Sequence, residues 1–228
     1  MKRLLVLGCV AAALLAPGEA AAADECRGLD VCISVPGPWV AVPASRPAQA
    51  TTVWYRLSCP RNAIAAGTDA TRAAGLDVTF LGALGSPVGP GVTTSREVWF
   101  VAVWAGRAPT SFRPFLGCVP TSGGGGRSTT ARTAAAPRDP LVRRVKNVQV
   151  RAGASATFGC RAGERLVGVS HALAFRVRGE PAPAWLAAVR VDVRRRAGRV
   201  VLTARRSAAV PARVRVFVQL HALCARNA

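Results

Sequence analysis

The chain has 228 residues and a formal net charge of +20, with 7 cysteines, 2 histidines, 5 tryptophans and a single tyrosine. No apolar run is long and uninterrupted enough to cross a bilayer as a helix, which takes about 20 residues. Two histidines and no Cys-x-x-Cys pair argue against structural zinc, and scarce aromatics among the basic residues argue against base-stacking recognition of nucleic acid.

Lys2 and Arg3 precede the apolar run "LLVLGCVAAALLA", then Pro17-Gly18 and the small residues "EAAAA". A charged start, a short apolar stretch and an Ala-x-Ala site are the marks of a secretory leader. The expected leader is residues 1–23, cleaved after Ala22 or Ala23, and the expected location is extracellular or at the cell envelope. "VLGC" has the look of a lipidation box, but modification at Cys9 would leave an apolar stretch too short for export.

Residues 24–120 read as a first β domain. The segments "WVAVP", "TTVWYRLSC", "LDVTFLG", "REVWFVAVWAG" and "FRPFLGCVP" are short, β-prone and separated by turn residues. Thr121–Pro140, with four consecutive glycines followed by Ser, Thr, Ala and Pro, reads as a flexible linker. Residues 141–228 read as a second β domain. In it Val189, Val191 and Val193 alternate with Arg190, Asp192 and Arg194, and Val214, Val216 and Val218 alternate with Arg213, Arg215 and Phe217. That period of two marks strands with one buried and one wet face. The expected fold class is all-β: two tandem, small, antiparallel sandwich-like domains, each closed by a disulfide. A single merged sandwich with pseudo-twofold symmetry is the alternative.

A repeated phrase supports the duplication. "CPRNAIAAG" at Cys59 and "CRAGERLVG" at Cys160 both reach a glycine eight residues on, at Gly67 and Gly168. Six cysteines follow the leader, and an even number in an exported chain indicates disulfides. The duplication selects Cys26–Cys32, Cys59–Cys118 and Cys160–Cys224. Together, Cys160, Gly163, "RLVG" and the closing "HALCA", with "GPWVAVPA" and "SFRPFLGC" in the first half, resemble a family of exported proteins of high-GC actinobacteria with tandem cysteine-bracketed β modules. The resemblance implies export and the module; it brings no activity with it. The first copy departs from the pattern, since Asn62 and Ala66 stand where glycines are expected, which puts its turn geometry in question.

Charge divides the chain. Residues 24–120 hold 8 arginines and 6 acids, a net of +2, whereas residues 121–228 hold 21 basic and 4 acidic residues, a net of +17. Guanidinium forks suit phosphate and carboxylate groups. The expected anion-binding residues are therefore Arg176, Arg178, Arg190, Arg194, Arg213 and Arg215, opposite the valines of the second domain. Matching partners are an anionic wall polymer, anionic lipid or extracellular nucleic acid. Arginine also serves as a solubilising surface residue that discourages edge-to-edge aggregation.

No catalytic set, cofactor or metal is expected. Ser170, His171 and His221 have only Asp192, Glu164 and Glu180 as nearby acids, and "GVSHA" is not a nucleophile elbow. Asp69, Asp77 and Glu97 form a glycosidase set only if two of them face one cleft. Trp39, Trp54, Trp99, Trp104 and Trp185 form a glycan platform only if they are exposed, and core packing is their ordinary role. The expected function is non-catalytic and envelope-associated. A hydrolase of cell-wall polymer and a structural or protein-binding spacer are the rival classes.

Overall fold

The computed structural model describes residues 24–82, 96–120 and 141–226. The expected leader and linker lie outside them. The first half forms β1 (Ile33–Pro36), β2 (Trp39–Val42), β3 (Thr51–Ser58), β4 (Ala63–Arg72), β5 (Asp77–Leu81), β6 (Glu97–Trp104) and β7 (Thr110–Pro120). The second half forms β8 (Leu141–Val150), β9 (Gly153–Gly159), β10 (Glu164–Arg176), the short helix α1 (Pro183–Ala187), β11 (Val189–Arg196), β12 (Arg199–Arg206) and β13 (Arg215–Arg226). The chain is all-β, and every strand pairing among the described residues is antiparallel.

Both halves follow one plan. A three-stranded sheet, β3-β6-β5, corresponds to β9-β12-β11. A second set, β4 and β1/β2 on either side of β7, corresponds to β10 and β8 on either side of β13. The repeated phrase falls at the same place in each copy. Three residues after the cysteine the backbone turns through positive φ, at Asn62 (65°) and Gly163 (79°). The turn is closed by Ala63 N–H to Pro60 O at 3.3 Å and by Glu164 N–H to Arg161 O at 3.1 Å. Asparagine is among the few side chains that tolerate this conformation, so the first copy keeps the turn without glycine. The glycine eight residues on ends a bulge in both halves, between Ala65 and Gly67 on β4 and between Leu166 and Gly168 on β10.

The halves do not stand apart as the two separate units expected from the sequence. β2 pairs with β10 through Trp39↔Phe175, Val40↔Ala174 and Ala41↔Leu173. This joins the two inner sets into one seven-stranded sheet, closer to the merged alternative. The physical reason lies in the residues at the seam. Trp39–Val42 and Ala172–Phe175 are buried at every position, as strands covered on both faces must be. Val40, Val42, Ala172 and Ala174 enter the core of the first half. Trp39, Ala41, Leu173 and Phe175 enter the core of the second. The two outer sheets therefore cover opposite faces of the shared sheet. The halves keep the same lateral strand order with reversed strand directions, so a twofold screw along the sheet relates them.

All three expected disulfides are present: Cys26–Cys32, Cys59–Cys118 and Cys160–Cys224. Each long bridge ties the residue after an outer strand, β3 or β9, to an inner strand, β7 or β13. The loops span 59 and 64 residues. Closing loops of that length removes about 4 kcal/mol of unfolded-state entropy each in the chain-entropy picture.

Candidate anion-binding face

The outer sheet of the second half has an inner face of Val189, Val200, Leu202 and Ala204 packed into the core. Its other face has nothing over it among the described residues. There the register sets Arg190 opposite Arg205 and Arg196 opposite Arg199. Arg194 shares this face, paired with Asp192 at 2.7 Å. All five arginines are exposed. The neighbouring strand β9 contributes the small residues Gly153, Ser155, Thr157 and Gly159 to this face, and a recess of about 390 Å³ opens between Asp192, Arg194, Arg196, Val201 and Thr203. Alternate residues along a strand stand about 6.8 Å apart and adjacent strands about 4.8 Å apart, so the guanidinium groups form a two-row field.

The structure divides the six arginines chosen from the sequence. Arg190 and Arg194 lie on this face. Arg176 and Arg215 oppose each other across β10 and β13, on the side of the shared sheet that faces away from β11 and β12. Arg176 sits 5.8 Å from the Phe217 ring. Arg178 and Arg213 are exposed in the connections beyond the strands. The face instead gains Arg196, Arg199 and Arg205, which the sequence places around a hairpin without assigning them a side. The missing signal is the turn. Ala197 and Gly198 have φ of 46° and 71°, a two-residue hairpin loop with positive φ at both positions. Such a loop fixes the register and puts Arg196 beside Arg199.

A second polar cluster is buried where the halves meet. The Gln219 side chain of β13 accepts the Arg56 N–H at 2.7 Å and donates to the Arg56 carbonyl at 3.0 Å, closing the free backbone edge of β3. Because Gln219 Oε1 accepts there, His221 Nε2 carries the proton for their 3.0 Å contact. Nδ1 is thus the acceptor of the Ser170 hydroxyl at 3.0 Å. Arg143 lies 4.4 Å from the Trp54 ring and 5.4 Å from the Trp99 ring.

The order Ser170–His221–Gln219 has the connectivity of a hydrolase triad with an amide in place of the carboxylate. Its electrostatics oppose that use. Burial, with Arg143, His171 and Arg56 adding to it, pushes the His221 pKa down to about 3. The imidazolium that a general base must form would have cations for neighbours. His171, the residue after Ser170, turns to the opposite face of β10. The acids proposed as partners are engaged elsewhere: Glu164 with Arg144, Asp192 with Arg194, and Glu180 with Ser111 at 2.8 Å.

In the first half, Asp77 pairs with Arg72 at 3.9 Å and Glu97 with Arg56 at 2.8 Å. Asp69 accepts backbone N–H groups of Asp24 and Ala70. Trp39 and Trp99 are buried, Trp54 is stacked by Arg143, and Trp104 donates to the Ala108 carbonyl at 2.7 Å. Trp185 of α1 is half-buried against the second core, so the five tryptophans form no open platform among the described residues. A cavity of about 530 Å³ at the seam is lined by Val42, Thr51, Ser170, His171, Leu186 and Val191 among others, with no charged side chain. It has nothing to hold a polyanion.

No protein-family model, curated protein or solved structure matches the chain.

Proposed function

We propose that this is a non-catalytic, envelope-associated protein that binds an anionic polymer through the exposed face of β11 and β12. The observation that carries the reading is the two like-charged cross-strand pairs, Arg190 opposite Arg205 and Arg196 opposite Arg199, on an exposed face whose acids, among the described residues, amount to Asp192. Like charges directly opposite on neighbouring strands destabilise a sheet, by roughly 0.2–1 kcal/mol per pair. A bound anion removes that repulsion and gains bidentate hydrogen bonds from each fork. Wall polymers, nucleic acids and anionic headgroups share the phosphate that these forks fit. The three disulfides suit an oxidising environment, and such polymers are met outside cells.

The test is binding of the whole chain to wall teichoic acid, DNA and anionic vesicles over a salt series. Binding that weakens steeply with salt is expected. Replacing Arg190, Arg196, Arg199 and Arg205 by glutamine is expected to flatten the log–log slope by about 0.7–0.9 for each phosphate that is no longer neutralised. Replacing Arg176 and Arg215 is the matched control on the other side. Equal losses in both variants, or no binding at low salt, would overturn the assignment.

A further inference from the structure

The first described residues form a small acidic site. The Asp24 backbone nitrogen donates to Asp69 Oδ2 at 2.7 Å, and Asp69 Oδ1 accepts from the Ala70 N–H at 2.7 Å. Asp69 thus has both oxygens aimed and held, yet no lysine or arginine among the described residues pairs with it. Arg27 is 3.1 Å from the side chain of Asp24, and Arg113 of β7 lies over the ring of Phe115, the residue opposite Asp69. Next along the chain, Glu25 is buried, and its carbonyl rests in the space left by two facing glycines. A Cβ on Gly67 or Gly117 would come within 1.8 or 2.0 Å of that oxygen. The backbone nitrogen of Asp24 and the carbonyl of Glu25 thus both fasten this segment to β4 and β7. That nitrogen follows Ala21-Ala22-Ala23, the small-residue pattern expected of a leader cleavage site.

We propose that processing hydrolyses the Ala23–Asp24 peptide bond and that Asp69 is the receptor for the α-ammonium so formed. Water is the co-reactant: its oxygen joins the Ala23 carbonyl carbon to give a carboxylate, and its protons pass to the Asp24 nitrogen to give an ammonium. The nitrogen already lies at the distance of a charge-assisted hydrogen bond, so cleavage charges the donor without moving it. The new terminus then fastens the Cys26–Cys32 loop to β4, on the face where Gly67 and Gly117 accept Glu25. Cleavage one residue earlier, after Ala22, would put the charge on Ala23, about 3.8 Å along the chain, and leave Asp69 with a neutral amide. The site acts within the protein and is independent of the arginine face.

Intact-mass measurement and terminal sequencing of the exported chain are expected to give Asp24 as the first residue. A start at any other residue, or an uncleaved chain, overturns the proposal. The second arm compares a chain starting at Asp24 with one that retains Ala23, each with and without Asp69→Asn. The free amine at Asp24 is expected to raise the melting temperature by about 2–4 °C, and Asp69→Asn is expected to erase the difference. An advantage that persists in Asp69→Asn, or no advantage with Asp69 intact, overturns it as well.

Discussion

In the first half of the molecule the carbonyl of Glu25 fills the space above Gly67 and Gly117; in the second half the matching positions are Gly168 and Leu223. One half covers that patch of sheet with a separate disulfide-closed loop, the other with a side chain of its own. The outer sheets diverge as well. β3 and β6 turn Tyr55 and Phe100 into the core and set Trp54 and Trp99 near Arg143. β11 and β12 keep an aliphatic inner face and crowd the outer one with arginine. What the two halves share is the cysteine pair, the positive-φ turn and the glycine at the bulge. Those positions define the module, and the faces it presents are free to change.

The comparison is broken most severely at the seam. Phe175 is fully buried in the second core and pairs with Trp39 of the first half. Phe175→Ala is expected to cost about 3–5 kcal/mol. Denaturant unfolding followed by tryptophan fluorescence and by circular dichroism should shift together as one transition. Two separated transitions would mean that the halves fold as independent units.

A smaller effect sharpens the difference between the glycines. In Gly67→Ala the new methyl carbon meets the backbone oxygen of Glu25, so the loop must move; overpacking of this kind costs about 1–3 kcal/mol. In Gly168→Ala it meets Leu223 side-chain atoms at 3.4 Å, an ordinary contact, and stability should change little. Hydrogen exchange across the Cys26–Cys32 loop should rise in the first variant and stay unchanged in the second. Equal behaviour would contradict the assigned role of Glu25.

The smallest effect concerns an ion pair that only the second half carries. Arg144 grips Glu164 through both carboxylate oxygens, one of them at 2.6 Å. Val35 and Ala63 hold the matching positions in the first half. The side-chain hydrogen bond from Arg144 and then the Arg161 N–H hold the Glu164 pKa down at about 2, against an ordinary 4.5. A lowered carboxylate pKa stabilises the folded state above the unfolded value and loses that contribution as pH falls. Melting temperature should therefore decline between pH 4.5 and 2. Glu164→Gln should lower stability at neutral pH and remove that part of the acid dependence.

The module itself was legible. Valine alternation gives β11 and β13, and the spacing of the cysteines within the duplication gives all three bridges. The seam was not read, although Trp39–Val42 and Ala172–Phe175 carry its mark, since short runs without a polar residue belong to strands buried on both faces. Periodicity tells how a strand is covered but not which strand lies beside it. The same limit applies to the arginines. Arg176, Arg190, Arg194 and Arg215 lie on strands while Arg178 and Arg213 lie in connections, and alternation implies one face where there are two, because β10 and β13 belong to a different sheet from β11 and β12. The seam cluster escaped for another reason. Gln219 and Ser170 look like ordinary wet-face residues until β3 of the other half brings its backbone edge against them.

The order of the disulfides has a consequence for how the chain is made. Cys26 joins Cys32, Cys59 joins Cys118, and Cys160 joins Cys224, so from Cys26 onward the cysteines pair in consecutive twos along the chain. An oxidant that meets thiols in the order a growing or emerging chain presents them will make these pairs first. The native connectivity is then the one reached without reshuffling. The first core nonetheless stays unfinished at that stage, because Ala172 and Ala174 arrive only with the second half. Covalent closure can keep pace with emergence, while packing has to wait for the whole chain.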